Sequence, residues 1–201
     1  MTCRGTSASR APKGPHGGFK KAALPVLAAC LLSGCSLHRV SLDPQKAAGE
    51  KQVSLSVPFF PDNTDQCGPS ALASVLEYWG KPEAPERLRA EIYRAGLKGS
   101  LTVDPLLAAG SRGLSAEMVE GGLPRLRAEL DAGRPLIAFV NAGFSFYPVG
   151  HYLVITGYDD RRRCILAHSG MKRDQRIPYG KFEKQWKQNG QWALLILPPQ
   201  P

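Results

Sequence analysis

The sequence has little that would hold a metal ion or grip nucleic acid, and no segment that would cross a bilayer. Its five cysteines, Cys3, Cys30, Cys35, Cys67 and Cys164, form no CxxC pair, and its four histidines form no HxxxH pair. A zinc site needs ligands at such spacings, so no metal and no cofactor is expected. Nor do these cysteines make a disulfide framework; each needs its own explanation. Basic residues form no stripe interleaved with aromatics, which argues against a nucleic-acid partner. The longest apolar run, Ala22–Leu32 (AALPVLAACLL), is well short of the roughly 20 residues a membrane-crossing helix needs. Internal repeats and low-complexity tracts are absent, and residues 1–34 contain no acid.

What is there is globular. The chain has 201 residues, 43% of them apolar, with 17 prolines and 21 glycines, which suits one loop-rich domain with a leader rather than a helical bundle. The net charge is +9. Arg4, Arg10, Lys13, Lys20 and Lys21 supply more than half of it, and the remainder is an ordinary solvated surface.

The amino terminus reads as an address. A basic segment ends at Lys20-Lys21, the apolar run has the length of an export-signal core, and Leu32-Ser33-Gly34-Cys35 follows at once. That tetrapeptide resembles the lipobox of bacterial lipoproteins. The resemblance implies cleavage before Cys35, lipidation of its thiol, and a membrane contact made through acyl chains, of which more than one is needed for stable anchoring. Ser36 stands where an Asp marks inner-membrane retention in many Gram-negative systems, so the implied place is the outer membrane, facing the periplasm. The expected organisation is a signal peptide over 1–34, a lipidated tether over 35–52 and a folded domain over 53–199. Cys3 and Cys30 fall in the segment to be removed.

Within the domain, Val53–Phe60 reads as a strand. From Cys67 the period becomes helical, with Ala71, Leu72, Val75, Leu76 and Trp79 on one face and Gly80 as a stop. Further helices are predicted over Pro85–Ala95, over Pro105–Ser111, around Leu123, Leu126 and Leu130, and over Lys181–Lys187. Strands are predicted at Pro135–Val140, His151–Tyr158, Cys164–Ala167 and Trp192–Leu197, with Asp159–Arg162 as a turn. Helices come first and an antiparallel sheet second, which predicts an α+β class.

The segment Asp65-Gln66-Cys67-Gly68-Pro69-Ser70-Ala71-Leu72 puts a cysteine where a loop becomes a helix. The first-turn N–H groups lack helical partners, and they and the helix dipole favour a thiolate and can face an oxyanion. Eighty-four residues on, His151 opens the run HYLVITGY, placing an imidazole at the mouth of a strand. A cysteine followed by a histidine across a helix-then-sheet pattern is the order of a papain-like nucleophile and base. A structural cysteine at a helix start remains the alternative reading of Cys67 taken alone, and a buried small hydrophobe is the reading of Cys164.

Taken together, QCGPSAL, HYLVITGYDD, ILAHSG and the closing FEKQW and QWALLILPP resemble the bacteriocin-processing, double-glycine-leader cysteine peptidases, in the branch found as stand-alone envelope lipoproteins. The resemblance spans about Val53 to Pro199 and implies a papain-like fold, Cys67 as nucleophile, His151 as general base, a thioester intermediate, and a peptide or protein substrate for a monomer. Two family positions differ. The family's oxyanion-donating Gln lies five or six residues before the cysteine, where this chain has Asp62 and Pro61, so Gln66 is the substitute candidate. The family's acid on the strand after the histidine strand is replaced by Ala167-His168-Ser169-Gly170, which makes His168 the third catalytic candidate, with Asp159, Asp160 and Asn141 as weaker ones. A cell-wall endopeptidase and a non-catalytic peptide-binding lipoprotein stay open beside the peptidase.

Overall fold

A computed structural model describes residues 50–199. The expectations for the signal peptide, for Cys35 and for most of the tether lie outside the described residues. In chain order the elements are β1 (Gln52–Ser54), α1 (Cys67–Tyr78), α2 (Pro85–Ile92), a 3₁₀ turn (Ala95–Leu97), α3 (Val103–Gly110), β2 (Ser115–Val119), α4 (Gly122–Asp131), β3 (Leu136–Asn141), β4 (Gly150–Asp159), β5 (Cys164–Ser169), β6 (Lys172–Pro178), α5 (Tyr179–Lys187) and β7 (Ala193–Leu197). The α+β class holds. The strands form one antiparallel sheet in the order β2-β7-β3-β4-β5-β6.

Side chains on a strand alternate between faces, and the two faces of this sheet have separate cores. Leu136, Ala138, Leu153, Ile155 and Ala167 pack against α4 and α5 through Leu126, Leu130, Phe182 and Trp186. Ile137, Tyr152, Val154, Leu194 and Ile196 pack on the other side against α1, α2 and α3. Helix α1 lies between the sheet and those two outer helices. Its residues Gly68 through Leu76 are therefore buried all round, not on the single stripe that its heptad spacing suggested.

Strand β1 is shorter than predicted. It pairs Gln52, Val53 and Ser54 with Asp159, Tyr158 and Gly157. Because β5 occupies the other edge of that stretch of β4, β1 must continue the edge that β3 uses lower down. Gly157 makes this possible: a Cβ there would sit 2.1 Å from the Val53 carbonyl oxygen, so no other residue admits β1 without a shift. Two strands escaped sequence reading. Strand β6 (KRDQRIP) buries chiefly Ile177, and β2 (SAEMV) chiefly Val119. Both are edge strands, whose solvent-facing residues dilute the apolar alternation that a strand is recognised by.

The weaker candidates have structural work. Asn141 is buried, and its Oδ1 accepts the Gly143 and Val149 N–H groups at 2.9 Å each, while its Nδ2 donates to the Phe144 carbonyl and to Gln188 Oε1. It closes the neck of the β3–β4 loop and pins it to the end of α5. Asp159, read as a solvated turn residue, is buried and accepts Arg162 N and Nη1 at 3.0 and 2.8 Å. Asp160 pairs with Arg127 and with the Tyr179 hydroxyl.

Candidate active site

Cys67 is the first residue of α1, after Gln66 at the N-cap, whose side chain makes no capping hydrogen bond. The thiol is half-buried and free, as is the buried Cys164; no disulfide joins them. Gly68 next to it fits a close approach: a Cβ would come within 2.8 Å of Ser100 Oγ. Ser100 and its neighbours Leu97–Gly99 form one wall of a cavity of about 600 Å³, the β3–β4 loop residues Tyr147–Val149 form the other, and Cys67 and His151 sit between them. So the loop-to-helix cysteine and the strand-mouth histidine do meet in one cleft.

The electrostatics of the sulfur differ from the sequence expectation. Burial pushes the Cys67 thiol pKa up, and the Asp62 carboxylate adds to this; the N–H groups of Tyr152, Gly68 and Cys67 face the sulfur and oppose it without prevailing. Burial likewise pushes the His151 pKa below its ordinary value, with Asp62 partly offsetting it. Both shifts favour the neutral thiol and the neutral imidazole over an ion pair. Above the lowered histidine pKa the ring is a free base; above the raised thiol pKa the sulfur ionises by itself. Between the two, proton transfer must accompany attack.

The remaining candidates are not all brought together. Gln66 opens into a different cavity, shared with Asn63, Thr64 and Glu86, and does not line the cleft of Cys67 and His151. Asp62 is the residue nearest to the oxyanion donor's expected role: it feels both Cys67 and His151, and its Oδ1 is held by Thr64 N and Oγ1 at 2.9 and 2.8 Å. His168 is buried, with Nδ1 accepting the Asp174 N–H at 3.2 Å and Nε2 donating to the Val57 carbonyl at 3.0 Å. Both ring nitrogens are occupied, and neither reaches His151. Sheet geometry explains this. His168 is paired with Val154 and shares its face, whereas His151, three residues from Val154, is on the opposite parity. The residue that touches the His151 ring is Ser169, with Oγ 3.1 Å from Nε2.

His168→Ala should therefore act on stability more than on chemistry. It strands the buried Val57 carbonyl, an expected loss of about 1–3 kcal/mol, read as a melting temperature lower by several degrees. Activity per folded molecule should stay within about threefold; a hundredfold loss of activity at an unchanged melting temperature would return His168 to the catalytic set.

Among the described residues, no three His, Cys, Asp or Glu side chains gather as metal ligands, and no helix is long and apolar enough to cross a membrane.

The fold is similar to known peptidase domains. Among solved structures the chain is similar to the peptidase domain of Streptococcus ComA, a bi-functional ABC transporter involved in quorum sensing, at 21% identity over 71% of this chain and 98% of that one, with a TM-score of 0.58. It is similar to a double-glycine-motif protease of an AMS/PCAT transporter, solved with its leader peptide, at 22% identity over 73% of this chain and 95% of that one, with a TM-score of 0.57. It is similar to a protein from Bacillus anthracis described as a C39-like peptidase, at 20% identity over 75% of this chain and all of that one, with a TM-score of 0.60. No curated protein matches the chain. The sequence model of the Peptidase_C39 like family matches residues 51–194, well over half of the chain, and the chain belongs to that family of cysteine peptidases.

Proposed function

We propose that this cysteine peptidase hydrolyses peptide or amide bonds with Cys67 as nucleophile and His151 as base. The observation that carries the assignment is the shared cleft: the sulfur and the ring line one cavity, and Nε2 is held by Ser169, which leaves Nδ1 as the ring nitrogen for the thiol. The Sγ–H proton moves to Nδ1 as sulfur attacks the carbonyl carbon, and the oxyanion forms near the helix-start N–H groups. The C–N bond breaks as the imidazolium returns its proton to the departing amine. Water, deprotonated by the neutral ring, then opens the thioester and frees the thiol.

The substrate proposed is a peptide in extended form, lying between Leu97–Ser100 and Tyr147–Val149. Leu97, Tyr147 and Val149 are exposed apolar side chains, which favours apolar residues beside the scissile bond. The mature protein is proposed to be anchored by lipid at Cys35 to the outer membrane, facing the periplasm, on the strength of the basic segment, the apolar run and the lipobox-like Leu32–Cys35. Radiolabelled palmitate incorporated into the wild type but not into Cys35→Ala tests that part; incorporation into both rules it out.

Asp62 favours a second reading, in which the cleft holds a peptide without cutting it, because a carboxylate beside the sulfur repels an oxyanion. Asp62→Asn decides between a slowed enzyme and a binding protein. Loss of the charge lowers both the Cys67 and the His151 pKa, since Asp62 raises each. Alkylation of Cys67 at neutral pH should speed up, and kcat/KM should rise about tenfold, a modest share of the roughly 10²–10³ that one oxyanion donor contributes. Faster alkylation with hydrolysis absent from both proteins would establish the peptide-holding reading.

A further inference from the structure

We propose that Ser169 is the positioning residue of this site, standing where an acid would otherwise orient the base. The inference rests on the Cys67–His151 reading and deepens it. A base must be held in one orientation and one tautomer to take a proton along a fixed line, and a third group bonded to its far nitrogen does this.

Three observations place Ser169 in that role. The first is contact: Ser169 Oγ lies 3.1 Å from His151 Nε2. The second is the sheet. Ile155 pairs with Ala167 across β4 and β5, and Leu153, Ile155 and Ala167 share one core. The last β4–β5 pair is Val154 with His168, so His151 and Ser169 both lie beyond that ladder at the same end of the sheet, Ser169 just past the register irregularity between Ala167 and Ser169. The third is rigidity. Gly170 turns the chain at φ +56°, and its carbonyl accepts the Asp62 N–H at 3.1 Å. The end of β5 is thereby tied to the loop that leads into Cys67.

A hydroxyl does less than an acid. With Nε2–H donating to Oγ, the ring keeps Nδ1 unprotonated and aimed at the thiol, but the imidazolium gains no counter-charge from Ser169. Other charged and titratable groups around the ring are Asp62 from the loop before α1, Cys67 on α1 itself, and Asp65, Lys98, Tyr147 and Tyr152, which line the same cleft. Of these, Asp62 is the charge that raises the ring's pKa, against the larger opposing effect of burial. An acid placed at 169 would add to Asp62.

The test uses the full chain in three variants, each checked by its melting temperature. Ser169→Ala should lower kcat by about tenfold, the upper range for one neutral hydrogen bond, with KM unchanged. Ser169→Thr keeps the hydroxyl and should retain activity within about threefold. Ser169→Asp should move the NMR titration midpoint of His151, and with it the ascending limb of the pH–rate profile, upward by about one pH unit or more. Wild-type kcat in Ser169→Ala, or a His151 titration that stays in place in Ser169→Asp, overturns the assignment. The titration needs no turnover, so it judges Ser169 even if Cys67→Ala still hydrolyses substrate, which is the outcome that would remove the peptidase reading itself.

Discussion

Cys67→Ala should bring peptide hydrolysis down to the uncatalysed background, a fall of about 10⁴–10⁶ in kcat/KM, because no other thiol lines the cleft to carry the thioester. Cys164 cannot replace it: that thiol is buried in β5, with its pKa pushed up by burial and then by Asp159, and lies outside the cleft. A thiol-directed probe gives the same answer by a second route. Iodoacetamide should label Cys67 first, and the rate should climb with pH toward and beyond the ordinary thiol value of about 8.5, because burial raises the thiol pKa. Labelling that is fast and flat from pH 5 upward would mean that a preformed thiolate exists and that burial does not dominate. The Cys67→Ala protein should keep its fold, since the thiol makes no disulfide.

His151→Ala should cost about 10²–10⁴ in kcat/KM, the usual contribution of a positioned general base. The pH dependence is the sharper signature. In the wild type the imidazole pKa is lowered by burial, so the ascending limb should lie below the ordinary histidine value. In His151→Ala that limb should vanish, and the residual rate should climb only as Cys67 ionises by itself. A His151→Ala variant that retains the wild-type ascending limb would assign it to another group, of which Asp62 is the nearest.

The sequence carries the class of the fold and the two reacting residues because each rests on a local pattern: helical period after Cys67, a β-branched run after His151, a turn between β4 and β5. It does not carry the edge strands β2 and β6, whose exposed side chains carry no period. Nor does spacing along the chain decide between His168 and Ser169, since it cannot say which face of the sheet a residue joins. Counting alternation straight back from the β4–β5 turn, where Asp159 faces Cys164, puts His151 on the parity of residue 168; only the irregularity in register between Ile155 and Gly157 reverses that, and nothing but the backbone reveals it. The protonation state of Cys67 is illegible for a similar reason. Helix-start N–H groups are predictable from Pro69 and the onset of the helix, whereas the burial that outweighs them depends on loops distant in sequence.

Strand β4 has His151 at one end and the β1 partners at the other, a separation of about 25 Å at the usual strand rise. Whatever precedes Gln52 therefore enters the sheet at its stern, while the cleft opens at the bow. A bulky cargo joined at Glu50 would thus start from the end of the sheet opposite the cleft, and should leave turnover unhindered.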